Sequence, residues 1–378
     1  MEPTRAAFGV WSGGLFMHFG QKIEENRMER LMHSAYDQGV RTFMTADVYG
    51  LGAADTMLGH SLESLDRETF CMVGAVGHDY TAERDGPRGY PRFTNSNLRK
   101  SSEYRDYLLK ATEESLERCK TDHFDLLLLH NPDYTGYSSE IVWKGMQELK
   151  EKGLTKKIGI APGPANGFTL DMMMCFEKFG AMIDWAMIIL NPFEPWPGSM
   201  LLDAAEKENI SLITRVLDFG GIFHDDVKPG HNFPPSDHRV YRAKGWVESG
   251  CEKLDQLRGL ADKHGLTMLQ LAAVWNFNQK MVKTVVPTLI QESDENPYSK
   301  PIEDKLHEVA NIPEIKLSDE ELEFISGVGN NKGCMNLKGG NPNFKGDPVA
   351  DGWPMNGELR QIAEKWGINP EQDIVAAH

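Results

Sequence analysis

Tyr49 closes the stretch TFMTADVYG, His130 ends the apolar run FDLLLLH, and His78-Asp79 directly follow MVGAVG. Each stands at the end of a segment that reads as a strand, where a side chain can meet a ligand. Asp47 lies two residues before Tyr49, Glu194 and Trp196 occur in ILNPFEPWP, and Arg215 and Asp218 occur in ITRVLDFG. Tyr, His and carboxylate groups are the side chains that donate and accept protons. The plain structural reading is a packed Tyr, a hydrogen-bonded core His and an Arg215–Asp218 ion pair. The functional reading is a polar pocket for a hydroxylated or anionic small molecule, with Trp11 or Trp196 as a stacking wall. His78, Asp79, His130 and Glu194 are also donor types for a divalent cation. No local ligand spacing joins them, so no metal is expected.

The elements that must position these residues alternate. Ile23, Met28, Leu31, Met32, Ala35 and Tyr36 fall at helical spacing before Gly39, and a strand over 40–46 follows. A helix over 104–119 precedes FDLLLL, a run of the kind that forms a strand buried on both faces. Helices over 139–152, 168–179 and 199–208 are each followed by a strand, over 157–161, 184–190 and 211–217. Helices over 248–263 and 268–278 lead to a last strand over 282–286. About eight strands separated by helices predict a (β/α)8 TIM barrel, although an open doubly wound sheet shares the alternation. No GxGxxG follows any strand, which argues against a Rossmann domain.

Two long polar segments, 78–103 and 219–245, would emerge on the C-terminal face of such a barrel, where active sites are built. Arg84, Arg88, Arg92, Arg99 and Lys100 share the first with Asp and Glu residues and read as a solvated loop. Ser318 and Glu321 form a capping box for a helix over 318–326. The domain reading is therefore a barrel over 1–326 with a C-terminal extension, 327–378, packed on it.

A formal net charge of -16, without clustered Lys and Arg, excludes nucleic acid and anionic membranes as the main expected partners. The N-terminus shows no export signal and no apolar run is long enough to span a bilayer, so a cytoplasmic protein with a small-molecule substrate is expected. Cys71, Cys119, Cys175, Cys251 and Cys334 are too widely spaced to suggest zinc or a disulfide framework. The sequence does not assign an oligomeric state.

Taken together, FMTADVYGLGAADTMLGHSL, DHFDLLLLHNPD, KKIGIAPG, ILNPFEP and ITRVLDFGGIF resemble, in order and spacing, the aldo-keto reductase family over about residues 7–326. The resemblance implies an eight-stranded α/β barrel that binds NADPH in an extended pose. It also implies a Tyr that protonates the carbonyl oxygen, a His that orients the carbonyl, and a Lys–Asp pair that lowers the Tyr pKa. Tyr49 and His130 match the Tyr and His. Met44 matches the Asp and Ala75 the Lys, and no Lys occurs in 68–99. Losing one member of a buried pair costs roughly 3–5 kcal/mol, whereas replacing both by apolar groups can be neutral, so the two changes read as one. His78 or Asp79 could then supply the missing base or orienting carboxylate.

The family's Ser-Asn pair and Gln that clasp the nicotinamide amide are matched by Ala161, Pro162 and Met187. Where the family holds the adenosine 2′-phosphate, Gln291, Glu292 and Asp294 come before Lys300, and carboxylates there would repel a phosphate. NAD or NADP is implied by the resemblance, yet no residue can be assigned to it.

Three functions follow. The first is an oxidoreductase acting on a small polar carbonyl or sugar-derived compound, with Tyr49 and His130 as the proton pair. The second is a non-redox lyase, isomerase or hydratase in which Tyr49, His130 and His78 move protons beside the carbonyl of a keto-sugar. The third is a non-catalytic binding subunit. The first requires nicotinamide binding, the second turnover without nucleotide, and the third neither.

Overall fold

The computed structural model describes residues 1–84, 89–163, 166–332 and 338–374. Arg88 and Cys334 lie outside the described residues. Eight parallel strands pair in sequence order: β1 (Ala7–Gly9), β2 (Thr42–Met44), β3 (Cys71–Val76), β4 (Leu126–His130), β5 (Ile158–Ala161), β6 (Trp185–Ile189), β7 (Ser211–Arg215) and β8 (Val282–Val286). A parallel bridge from Ala6 to Val285 brings the first strand back to the last, and the Val285 N–H donates to the Arg5 carbonyl at 2.8 Å. The architecture is a (β/α)8 barrel.

Strand register sorts the side chains into two cores. Ala7, Met44, Ala46, Val73, Ala75, Leu126, Leu128, Trp185, Met187, Ile213 and Val286 fill the interior. Their alternating neighbours, such as Phe8, Phe43, Met72, Leu127, Leu129 and Ile188, pack outward. That period of two with both faces apolar makes FDLLLL read as a continuous run. The outward residues are covered by α1 (Glu25–Asp37), α2 (Ala53–Leu62), α3 (Tyr104–Arg118), the short α4 (Tyr134–Ser138), α5 (Glu140–Glu151), α6 (Thr169–Phe179), α7 (Leu202–Lys207), α8 (Trp246–His264), α9 (Met268–Phe277) and α10 (Ile302–Ala310). The helix α11 (Asp319–Gly329) has the expected capping box, Ser318 accepting from the Glu321 N–H and Glu321 from the Ser318 N–H. No helix among the described residues is long and apolar enough to cross a membrane.

After α11 the chain folds back over the barrel and forms α12 (Gly357–Lys365) and α13 (Pro370–Asp373). Buried Trp353 anchors this segment: its indole N–H donates to Asp171 on α6 at 3.1 Å, and its ring lies 5.2 Å from that of Phe168. Trp366 donates to Glu177 at 3.0 Å and Lys178 pairs with Glu358 at 2.5 Å. The Trp196 indole donates to the Asp373 carbonyl at 2.8 Å, so the extension also grips the loop after β6.

Candidate active site

His130 is the last residue of β4, one layer above the interior Leu126 and Leu128. Tyr49 begins the turn after β2 and packs on the same interior cluster. Their rings meet edge to face, centroids 5.6 Å apart at 87°. His78, two residues beyond β3, meets His130 in the same way at 5.3 Å and 84°. Gly77 permits this approach, since a Cβ there would lie 2.3 Å from the His130 carbonyl oxygen. Trp11 closes the other side, its ring 6.1 Å from that of Tyr49. Tyr49, His130, His78 and Trp11 thus form one aromatic and imidazole wall at the C-terminal mouth. Met44 and Ala75 belong to the buried interior cluster on which Tyr49 packs.

Arg215, the last residue of β7, reaches across the mouth. Its Nη2 donates to the carbonyl of Gly163 at 2.7 Å and, more weakly, to that of Pro162 at 3.4 Å, both just beyond β5. Asp218 does not pair with it. One Asp218 oxygen accepts from the Thr288 N–H at 2.8 Å and the other from the Gly221 N–H at 3.0 Å, so Asp218 ties the turn after β7 to the segment after β8. The ion pair that is the plain structural reading of these two residues in the sequence does not form.

The electrostatics follow from burial. Burial pushes the Tyr49 phenol up to about 12; the positive field of Arg215 opposes the shift and the negative field of Asp47 adds to it. Burial, with Arg92 and then Arg215, holds His130 down to about 3, so its imidazole is neutral. His78 is held well below its usual value by burial, then by His130 and Arg92. The wall therefore carries neutral hydrogen-bonding groups, with guanidinium fields from Arg92 and Arg215.

Other expected site residues have different partners. Asp47 is fully buried, neither carboxyl oxygen has a hydrogen-bond partner, and burial together with Asp55 pushes its pKa well up. Its neighbour Thr45 donates to Asp55, which is held by Arg118 at 2.9 Å, so this stretch faces α2 and α3 as well as the mouth. Asp79 accepts from Arg99 at 2.5 Å and from Thr81 at 2.7 Å. Glu194 accepts from Asn191 at 3.0 Å and Arg242 at 3.1 Å. Trp196 is held by Asn331 and Asp373. Among the described residues no group of three or more His, Cys, Asp or Glu is arranged to hold a metal ion.

Arg92 corrects the reading of its loop as solvated. It is 4% exposed, its Nε donates to the Asn131 carbonyl, and its Nη2 binds Asp351 at 2.6 Å. Arg239, by contrast, carries no signal in the sequence that marks it out. It is 1% exposed and binds Asp237 at 2.8 Å and Glu292 at 2.5 Å, fastening the loop after β7 to the segment after β8. The Glu292 charge is therefore compensated, not free to repel a phosphate. Gln291 likewise is occupied, accepting from Arg27 at 3.0 Å and from the Ile302 N–H at 3.1 Å. Beside this clamp a cavity of about 680 Å³ lies between 228–234 and 292–298, separate from the Tyr49–His130 wall.

With the barrel and the Tyr49–His130 wall in place, comparison with known proteins gives the class. The family model described as "Aldo/keto reductase family" matches residues 8–329. The chain belongs to the aldo/keto reductase family, and so to a group of oxidoreductases. It is 24% identical over 310 residues to a protein from Glycine max named "Probable aldo-keto reductase 1", covering 78% of this chain and 80% of that one. It matches the structure of a glycerol dehydrogenase from Gluconobacter oxydans with a TM-score of 0.67 and 22% identity, over 86% of this chain and 90% of that one. A Klebsiella pneumoniae aldo/keto reductase solved in complex with NADP and acetate matches with a TM-score of 0.56 and 16% identity, over 87% of this chain and 95% of that one.

Proposed function

We propose that this chain is an enzyme acting on a small polar carbonyl or sugar-derived compound at the mouth of the barrel. Tyr49 gives the proton to the carbonyl oxygen, and neutral His130 orients that oxygen by hydrogen bonding. The carrying observation is the edge-to-face contact of Tyr49 and His130 at 5.6 Å on the C-terminal face. Met44 and Ala75 lie in the apolar interior beneath them, and on the sequence resemblance they match the family's Asp and Lys. With no Lys there, the cation whose field reaches Tyr49 is Arg215, which favours negative charge on the phenol as the proton leaves.

Membership in the family supports oxidoreduction, and the Klebsiella relative is named with NADP bound. The residues here do not fit a nicotinamide held in the family's way: the side chains of Ala161 and Met187 offer no hydrogen bonds, and Arg215 lies against the carbonyls of Pro162 and Gly163. Oxidoreduction therefore requires a nicotinamide held by other contacts. The apolar side chains of Ala161 and Met187 also favour a second reading, a non-redox lyase, isomerase or hydratase in which Tyr49, His130 and His78 shift protons beside the carbonyl.

Titration with NADPH and NADH, following energy transfer from the 8 tryptophans, separates the two readings. Saturable micromolar binding supports oxidoreduction; no binding at millimolar nucleotide removes it and leaves the cofactor-free reaction. We further propose a small molecule as the sole partner class and a reducing cytoplasm as the location, in keeping with the four buried free cysteines Cys71, Cys119, Cys175 and Cys251.

A further inference from the structure

We propose that Arg215 binds a carboxylate on the substrate, so that the compound taken by this site is an oxo-acid or a uronic acid. This rests on the carbonyl chemistry assigned above to Tyr49 and His130 and adds the substrate's charge to it.

The guanidiniums around the mouth differ in their partners. Arg92 is paired with Asp351, Arg99 with Asp79, Arg242 with Glu194, and Arg239 with both Asp237 and Glu292. Arg215 has no carboxylate within ion-pair distance among the described residues. Asp218, three residues on, is spent on two backbone N–H groups. The field of Glu194 reaches Arg215, but its oxygens are engaged by Asn191 and Arg242. Arg215 is half-buried, and a guanidinium partly removed from water without an anion beside it is unfavourable, a cost that a ligand supplying the anion recovers.

The donors needed are available. Only Nη2 of Arg215 is engaged, by the two carbonyls after β5. Nε and Nη1 carry no hydrogen bond among the described residues, which leaves the larger part of the fork for an acceptor. Arg215 sits one layer above the interior residue Ile213, and its field reaches both Tyr49 and His130, so it borders the same space as the proton pair. One uncommitted guanidinium matches a single negative charge. The ligand chemistry is therefore a monoanionic carboxylate in preference to a phosphate dianion, which would call for further cations.

The test is calorimetric binding to the full chain of D-glucuronate and pyruvate, their neutral counterparts D-glucose and dihydroxyacetone, and D-glucose 6-phosphate. The expected result is at least one carboxylate bound about 10-fold or more tighter than its neutral counterpart, the size of one charge-assisted contact. Arg215→Gln should bring that ratio to about 2-fold or less, while Arg215→Lys, which keeps the charge, should retain part of it. Near-ultraviolet circular dichroism establishes that each variant is folded. Should Arg215→Gln not fold, the wild-type ratio and its retention in Arg215→Lys decide the matter alone.

No carboxylate preference, a preference untouched in Arg215→Gln, or tighter binding of the sugar phosphate would each overturn the inference. The reading of Tyr49 is tested apart from it. Tyr49→Phe should abolish turnover and leave the carboxylate preference in place. Neutral carbonyls turned over in a Tyr49-dependent way, without carboxylate preference, would sink the anion inference while sparing the proton-pair reading.

Discussion

Asp351 holds Arg92 at 2.6 Å, and Arg92 in turn bonds the carbonyl of Asn131, the residue after His130. Asp351, 259 positions after Arg92 in the chain, thus buttresses the end of the strand that carries the candidate acid-base histidine. His78 and Arg92 also form an antiparallel backbone bridge, so the same residue ties the segment that carries His78 to the end of the strand that carries His130. Asp351→Ala leaves a guanidinium that is 4% exposed without its anion, and should cost about 3 kcal/mol of stability. Urea denaturation measures the loss, and faster amide exchange at residues 128–131 would locate it. A variant with wild-type midpoint and unchanged exchange would show that Asp351 does not brace this strand.

Tyr49 and His130 make no side-chain hydrogen bond among the described residues that a substitution would break. Tyr49→Phe and His130→Gln should therefore fold with midpoints close to wild type and lose turnover by roughly 10²–10⁴-fold, the range for a positioned acid or base. Retained turnover in Tyr49→Phe would move the proton donor elsewhere, with His78 the next residue to replace.

The two titrations at the site lie far from neutrality. His130, held down to about 3, protonates only in strong acid, and Tyr49, pushed up to about 12, ionises only in strong base. The rate of the proton-transfer step should be flat from pH 5 to 9, within about 3-fold. A limb near pH 7 that vanishes in Tyr49→Phe would mean that a nearby cation lowers the phenol much further than Arg215 does.

Asp171, beneath Trp353, should give the extension a pH-dependent anchor. Burial raises its pKa from 3.8 to about 8, against the smaller lowering effect of the Trp353 hydrogen bond. The folded state thus binds this proton more tightly than the unfolded chain. Its contribution is fully present below about pH 4 and is lost as pH rises through about 8. Asp171→Asn, which still accepts from Trp353, should match wild type near pH 4 and exceed its stability at pH 9 by about 2–5 kcal/mol. Thermal unfolding of both proteins across that range is the check, and parallel curves would contradict the assignment.

Much of this was legible in the sequence where local rules dominate. Strands β4 to β6 are short apolar runs buried on both faces, and the caps and glycine stops around them are local signals. β1 has only three residues and leaves no periodic trace, while α12 lies in a polar tail without a strand to alternate with. At the site, Tyr49, His130 and His78 were readable because strand ends point to the mouth of any parallel barrel. The roles of Asp79, Glu194, Trp196 and Asp218 were not, because their partners Arg99, Arg242, Asn331 and Thr288 are set by loop tertiary structure. Arg92 read as solvated for the same reason, its carboxylate lying in the extension.

The most direct test of the central claim, carbonyl chemistry dependent on Tyr49 and His130, is proton NMR of the purified chain with oxo-acids and keto-sugars in deuterated water. Parallel samples with and without NADPH follow both reduced product and deuterium uptake beside the carbonyl. The expected result is one of these signals in the wild type and its disappearance in Tyr49→Phe and His130→Gln. A signal that needs NADPH would assign oxidoreduction, and one that does not would assign the non-redox reaction. Neither signal, or a signal that survives both substitutions, would contradict the claim.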